Sequence, residues 1–240
     1  MHISLAVFLV AATAVSVGSV VQGSVGFGLN LLAAPFIAIV IPAALPATLV
    51  LVAFPLAIST LVREHHAVEG QPLRWMFLGA VPGTVLGLLI IGQVDATELA
   101  IVVGGITLTG VALSVLSPPV PINRFTSLVA GFTSNVFGTA SSVGGPPVAL
   151  LFQHRHGPVT RSTLGGFFST SALLSIIGYL ATGKITLHQA LFALSLAPFM
   201  IGGLWASRHF HGLVDSGWLR PALLIMSAAA GSIAILHALA

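Results

Sequence analysis

The chain has 240 residues, of which 56% are hydrophobic and only 5% are charged. A water-soluble domain usually has about 25% charged residues, so this composition excludes a soluble globular protein of this size. The net charge of +3 would suggest nucleic-acid binding in a soluble protein, but here it indicates membrane topology, and no nucleic-acid partner is expected.

Apolar segments follow one another along the whole chain, separated by short stretches of polar residues, proline and glycine. A helix needs about 20 apolar residues to cross the hydrocarbon core of a bilayer. Lipid also requires that backbone polar groups be paired within the segment, which favours helices over open strands. The sequence therefore predicts an all-α polytopic membrane protein. The apolar segments lie at 3–21, 26–41, 44–62, 73–92, 97–116, 124–141, 146–153, 160–181, 187–207 and 218–239.

The first segment has no basic residue before it, so we expect it to belong to the mature fold and not to a cleaved signal peptide. The chain has no cysteine, which excludes disulfides and thiolate metal sites. Histidines lie in pairs beside loop arginines, and we interpret them as interfacial residues instead of metal ligands. We expect neither a metal ion nor a cofactor. The histidine pairs are His65-His66, His154 with His156, and His209 with His211.

The two halves of the chain carry similar motifs in the same order and at nearly constant spacing. This arrangement predicts a duplicated unit of about five helical segments, with residues 1–117 as the N-terminal repeat and 118–240 as the C-terminal repeat. The recurring motifs are Ser24-Val25-Gly26 with Ser142-Val143-Gly144, Pro82 and Gly87 with Pro198 and Gly203, and Val94-Asp95 before Leu99 with Val214-Asp215 before Leu219.

The basic residues predict how the segments cross the membrane. If each half begins with two arms that enter and leave on the same side, all seven arginines lie on one side and only Lys184 on the other. A single crossing for each pair of arms would split the basic residues evenly, which the positive-inside rule disfavours. The preferred arrangement puts the basic loops in the cytoplasm and both termini outside, and it makes the two repeats inverted. Segment 146–153 is too short to cross, which favours a re-entrant hairpin there. Symmetry extends the hairpin to 3–41, although residues 3–21 are long enough to span, and that alternative stays open.

Each half contains one glycine-rich break, predicted at residues 22–28 and 135–147. Irregular backbone at membrane depth persists only where protein or water covers it. The arms that follow the breaks would aim helix N-termini at a common point, and a helix N-terminus attracts anions. We therefore predict an anion site near mid-membrane formed by both breaks. The candidate substrate-binding residues are Gln22, Gly23, Ser24, Gly26, Gly28, Asn30, Asn135, Gly138, Thr139, Ser141, Ser142, Gly144, Gly145 and Pro146.

The acidic residues all lie in or beside loops, so no carboxylate is placed for a proton relay within the membrane. An anion would be held by helix dipoles and neutral polar groups, and such weak binding suits export. Gln22 is a candidate gate or donor, and Arg161, His154 and His156 are candidates for a gate or mouth of the pathway.

Residues 22–28 with Pro35, and residues 138–147, resemble the paired signatures of the sulfite exporter TauE/SafE family, also called the toluene sulfonate uptake permease family. Arg161 at the head of the eighth segment also fits that pattern. The resemblance implies a transporter, and not an enzyme, that carries sulfite or organosulfonates across a bacterial inner membrane. The oligomeric state in the bilayer is left open, with a homodimer as one candidate. The alternative function is a channel or facilitator for an anion or a neutral solute, in which the two hairpins form a filter.

Overall fold

The computed structural model describes residues 4–116, 118, 120–209 and 219–239. This part of the chain contains ten α-helices and no strand, which confirms the predicted all-α membrane fold. Two short 3₁₀ turns lie at Pro42–Ala44 and His65–Ala67. The helices are α1 Leu5–Val25, α2 Leu29–Val40, α3 Ala47–Arg63, α4 Gly70–Gln93, α5 Ala96–Leu116, α6 Arg124–Ser141, α7 Gly145–Phe152, α8 Gly157–Ala181, α9 Leu187–Ser207 and α10 Leu219–Leu239.

Among the described residues, five helices are long and apolar enough to cross a membrane: α1, α4, α5, α8 and α9. The first of them, α1, has 21 residues and is therefore about 31 Å long, which is close to the thickness of the hydrocarbon core. The half-membrane arm that the symmetry argument predicted before the first break therefore stays a prediction, because α1 is also long enough to cross. The helices that follow the breaks are short: α2 has 12 residues and α7 has 8.

The two breaks are shorter than the sequence predicted. Helix α1 continues through Gln22, Gly23 and Ser24 and ends only at Gly26, whose φ of 100° and N–H bond to the Gln22 carbonyl at 2.7 Å form a left-handed cap. Gly28 also has a positive φ, 125°, so glycine is needed on both sides of Phe27. The prediction from glycine and serine content overestimated the length of the break, because packed helices also tolerate small residues.

The second break comprises only residues 142–144, since α6 remains helical through Ser141. Ser142 ends α6 in the left-handed conformation, with φ of 66°, and its N–H bonds the Gly138 carbonyl at 2.8 Å. Asn135, Gly138, Thr139 and Ser141, predicted within the break, are therefore helical residues, and Pro146 belongs to the first turn of α7.

Helices from the first half pack mainly on helices from the second half. Helix α4 packs along α6, where a Cβ at Gly79 would clash with the Leu128 carbonyl oxygen. In the same way α1 packs on α9, α3 on α8 and α5 on α10. Glycines at these contacts let the backbones approach closely, which is how helices associate without a hydrophobic driving force in lipid.

Ionised side chains lie at the two ends of this helical bundle. Arg63 and Glu64 at the end of α3 meet Arg161 near the start of α8, and we call this the basic end. Arg155 pairs with Glu69 there, with Nε 3.2 Å from Oε1. Lys184 follows the far end of α8, which is 25 residues long, beside a cavity of about 170 Å³ that Asp95 and Gln189 also line.

Candidate functional site

A small cavity lies where the two breaks meet, between α3 and α8. Its volume is about 50 Å³, enough for a few water molecules or one small ion at roughly 10–15 Å³ for each water. Both breaks contribute to its wall. The lining residues are Gln22, Phe27, Gly28, Asn30, Leu31, Val50, Ala53, Gly138, Ser142, Gly144, Gly145, Phe168, Ser171, Ala172 and Ser175.

Asn30 connects the two breaks. Its Nδ2 donates to the Ser142 carbonyl oxygen at 2.9 Å, while its Oδ1 is enclosed and has no donor. Beside this bond the Phe27 ring lies against Gly145, where an added Cβ would be 3.1 Å from Phe27 Cδ2. These contacts hold the start of α2 next to the start of α7.

Gln22 lines the cavity from the last turn of α1 and also supports the start of α2. Its Oε1 accepts a hydrogen bond from the Leu29 N–H at 3.3 Å, and the residue is 5% exposed. One of the unpaired donors at the N-terminus of α2 is thereby satisfied. Gln22, predicted as a gate or donor, thus connects the last turn of α1 to the start of α2 across the first break.

Asn135 is fully buried and lies one layer behind the cavity. Its Nδ2 donates to the Ala80 carbonyl oxygen at 3.0 Å and to Thr84 Oγ1, and its Oδ1 accepts from Ser171 Oγ. The side chain thus connects α4, α6 and α8. It does not line the cavity, but it fixes Ser171, which does.

Thr139 has a similar place on the next turn of α6. Its hydroxyl shares a hydrogen bond of 2.8 Å with Ser175 Oγ, and its carbonyl accepts from the Tyr179 hydroxyl. Thr139 therefore orients Ser175, which lines the cavity, without facing the cavity itself.

Other predicted site residues point into helix contacts. Ser24 Oγ donates to the Val20 carbonyl at 2.8 Å, and a Cβ at Gly23 would clash with Ser207 of α9. Ser141 Oγ donates to the Phe137 carbonyl at 2.8 Å, and Pro146 packs against Gly110 of α5. The structure does not bring these side chains to the cavity.

Arg161 lies directly beneath the first break, at the basic end. A Cβ at Gly26 would be 2.9 Å from Arg161 Cα, and Arg161 Nη1 donates to the Ser24 carbonyl at 3.3 Å. Arg63 Nη2 donates to the Gly23 carbonyl at 2.6 Å. Two arginines thus pair with the last carbonyls of α1, where a cation is favoured by the helix dipole.

His154 and His156 lie in the exposed turn between α7 and α8, away from the cavity. Within the described ranges, no group of three or more histidine, aspartate, glutamate or cysteine residues is placed to hold a metal ion. His211 lies outside the described residues, so its predicted pair with His209 has no structural description.

The cavity wall is part polar and part apolar, and none of its lining residues carries an ionisable side chain. The α2 N-terminus offers backbone N–H groups there. The α7 N-terminus offers fewer, because Pro146 and Pro147 have no N–H and only Gly145 precedes them. Any anion held here would depend on a few backbone donors, the two helix dipoles and neutral side chains.

Sequence reasoning missed the contribution of α3 and α8. Ser171 and Ser175 are spaced by one helical turn and therefore share a face of α8, which was the available signal. Val50, Ala53 and Phe168 add apolar wall, and nothing in the sequence distinguishes them from other apolar residues.

Comparisons with known proteins gave one match to a family. No curated protein and no solved structure matches the chain. The family model described as "Sulfite exporter TauE/SafE" matches residues 10–233, which include both breaks and every residue of the cavity wall. The chain therefore belongs to the sulfite exporter TauE/SafE family and is a multi-pass membrane transporter.

Proposed function

We propose that this transporter carries a small sulfur-containing oxyanion, sulfite or a small organosulfonate, through the cavity between the two breaks. The observation that carries the proposal is the Asn30–Ser142 bond, which holds both breaks around one partly polar cavity. The description of the family supports the substrate class.

The proposed binding mode uses neutral donors. The proposed donors are backbone N–H groups at the start of α2 and at Gly145, which belong to residues that line the cavity, together with Gln22 Nε2, since the other amide atom, Oε1, is bonded to the Leu29 N–H. Asn135 and Thr139 act indirectly, by fixing Ser171 and Ser175. Weak binding by dipoles allows the anion to leave, which suits export.

The helix contacts support an inverted repeat with residues 1–117 and 118–240 as its two units. If α1 to α5 correspond to α6 to α10, then α3 with α8 and α5 with α10 are contacts between equivalent helices. The α1–α9 and α4–α6 contacts are then equivalent to each other. The gathering of arginines at one end supports a cytoplasmic basic end in a bacterial inner membrane.

The test is uptake of labelled sulfite into proteoliposomes, with sulfate, sulfoacetate, taurine, acetate and chloride as competitors. Saturable flux of sulfite or a sulfonate is expected, and no saturable anion flux would contradict the proposal. A channel would give flux that does not saturate over the same range.

The variant Gln22→Glu tests the site, since it keeps an acceptor for the Leu29 N–H but replaces the amide donor with a charged oxygen. We expect the anion flux to fall to about a tenth of that of the natural protein or below, because an uncompensated negative charge faces the substrate in a region of low dielectric. The matched control is Gln153→Glu, in the turn after α7 and away from the cavity, which is expected to retain flux. Equal flux in both variants would place the pathway elsewhere.

A further inference from the structure

A second polar recess lies at the basic end, between the starts of α4 and α6. Its volume is about 150 Å³, against about 50 Å³ for the cavity between the breaks, and the two share no lining residue. At roughly 10–15 Å³ for each water, it has room for about ten water molecules or a hydrated phosphate group. We call it the α4–α6 recess. Its wall includes Glu69, Trp75, Arg124 and Arg155, together with the amides of Gln71 and Asn123.

The charged groups of the recess leave one guanidinium without a counter-ion. Arg155 binds both oxygens of Glu69, with Nε 3.2 Å from Oε1 and Nη2 3.3 Å from Oε2. Arg124 lies over the Trp75 ring, with Cζ 5.8 Å from its centroid, and it forms no ion pair with an acid in the described part of the chain. Stacking uses the face of a guanidinium and leaves its N–H edge for an acceptor. With two arginines and one glutamate, the recess has a net charge of +1 and suits an anion.

The length of α4 places the recess at the level of the lipid headgroups. This helix has 24 residues and is therefore about 36 Å long, which exceeds the roughly 30 Å of the hydrocarbon core. Arg74 and Trp75 lie near its start, and arginine and tryptophan favour the membrane interface. The start of α4 and the recess beside it thus lie where phosphate groups of lipids are found.

Exposed apolar side chains continue from the recess along both helices. Leu78 follows Trp75 by three residues on α4, and Leu128 follows Arg124 by four residues on α6, so each lies on the same helix face as the recess residue before it. Leu78 is 45% and Leu128 is 36% exposed. Phe125, next to Arg124, is 74% exposed. A lipid whose phosphate occupies the recess therefore has an apolar surface for its acyl chains directly beside it.

Close packing fixes the two walls of the recess relative to each other. A Cβ at Gly79 of α4 would clash with the Leu128 carbonyl oxygen, and a Cβ at Gly131 of α6 would clash with the Met76 carbonyl oxygen. The recess is thus formed before a ligand binds, which lowers the conformational cost of binding.

We propose that the α4–α6 recess binds the phosphate group of an anionic phospholipid, with Arg124 and Arg155 at the phosphate oxygens and the acyl chains along the exposed faces of α4 and α6. Basic pockets between transmembrane helices recognise headgroups of this kind. A zwitterionic headgroup fits less well, because both oxygens of Glu69, the one carboxylate among the lining residues, are bonded to Arg155 and are not free for a headgroup amine. The site is distinct from the proposed transport pathway and does not depend on the transported anion.

The experiment uses the purified, delipidated protein in a neutral detergent, titrated with phosphatidylglycerol or with phosphatidylcholine. The rise of the unfolding midpoint with lipid concentration gives the affinity, and native mass spectrometry counts the lipids bound. Three variants are compared with the natural protein. Arg124→Gln removes the free guanidinium, and Glu69→Gln raises the net charge of the recess. Arg74→Gln is the matched control, since Arg74 is exposed near the start of α4 but does not line the recess.

We expect phosphatidylglycerol to bind more tightly than phosphatidylcholine. Arg124→Gln should weaken phosphatidylglycerol binding about fivefold, the effect of one arginine near a membrane surface. Arg74→Gln should stay within about twofold of the natural protein, because salt screens a charge outside the recess. Glu69→Gln should bind phosphatidylglycerol more tightly than the natural protein, a gain that a folding defect does not produce.

Equal losses in Arg124→Gln and Arg74→Gln would show only a diffuse attraction to the basic end and would overturn the proposed site. Equal affinity for the two lipids would do the same. Inorganic phosphate added as a competitor separates a lipid from a soluble ligand. Displacement of phosphatidylglycerol by an equal concentration of inorganic phosphate would show a site for soluble phosphate and overturn the lipid assignment.

Discussion

Arg161 and Glu64 form a bidentate ion pair at the basic end, with Nε 3.0 Å from both carboxylate oxygens and Nη2 2.7 Å from Oε1. The two side chains are only 14% and 15% exposed. Because Arg161 also binds the Ser24 carbonyl, the pair joins the ends of α1, α3 and α8 beneath the first break.

Glu64→Gln leaves the Arg161 charge without its counter-ion in a largely enclosed place. We expect it to lower the free energy of unfolding by about 3 kcal/mol. The control is Glu69→Gln, which breaks the Arg155–Glu69 pair, where the side chains are 47% and 28% exposed. Its expected cost is below about 1 kcal/mol. Unfolding in mixed micelles measures both, and equal costs would show that the first pair is not structural.

Neighbouring glycines of α9 differ in what surrounds them. A Cβ at Gly203 would clash with the Ser16 carbonyl oxygen of α1, whereas a Cβ at Gly202 meets nothing within 4 Å. Gly203→Ala is expected to lower the free energy of unfolding by about 1–3 kcal/mol, because a backbone atom must move. Gly202→Ala should be neutral or stabilising by up to about 1 kcal/mol from helix propensity. Thermal unfolding in detergent compares them, and the reverse order would contradict the α1–α9 packing.

Asn135→Leu removes a side chain that satisfies groups on α4 and α8. We expect it to lower the free energy of unfolding by about 1–3 kcal/mol, since Ser171 Oγ loses its acceptor, whereas the Ala80 carbonyl and Thr84 Oγ1 keep the hydrogen bond between them. Ser171→Ala should cost less in the Asn135→Leu background than in the natural chain. A double-mutant cycle on unfolding free energy measures this coupling. Strictly additive costs would mean that the Ser171–Asn135 bond contributes nothing to stability.

Gly138→Ala adds a methyl group to the cavity wall without a clash. The added Cβ would be 3.5 Å from Gly144 Cα, an ordinary contact, so the variant should fold normally. It takes space from a cavity of only about 50 Å³, and we expect flux to fall more for an organosulfonate than for sulfite. Gly105→Ala, with nothing within 4 Å, is the control. The ratio of sulfite to sulfoacetate uptake is the measurement, and an unchanged ratio would contradict a size limit at Gly138.

The positions of the helices were largely predictable from the sequence, because apolar length and polar punctuation are properties of the chain itself. The predicted segment 97–116 lies within α5, Ala96–Leu116, and the predicted 187–207 is the same as α9. The ends of α1 and α6 were not predictable. Gly23, Ser24 and Ser141 are small residues that fit either a break or a packed helix, and only their contacts with neighbouring helices distinguish the two.

The position of the cavity beside the two breaks was predictable, but only some of the residues that line it were. Asn30 and Ser142 were predicted from their positions beside the breaks, and both line it. Asn135 and Ser24 were predicted by the same reasoning, yet their side chains face helix contacts, because one step along a helix rotates a side chain by about 100°. In helices that are apolar all round, the sequence does not show which face meets the pathway.

The sequence by itself determined that this protein is an all-α membrane protein, where its helices lie, and that it has two breaks, since the bilayer imposes length and backbone pairing on each segment separately. Only the tertiary structure decided which polar groups share the cavity. Ser171 and Ser175 reach it from α8, and Arg161 meets Glu64 and the end of α1 far away along the chain. Such groups come together through helix packing, which depends on the close approach of many small residues at once.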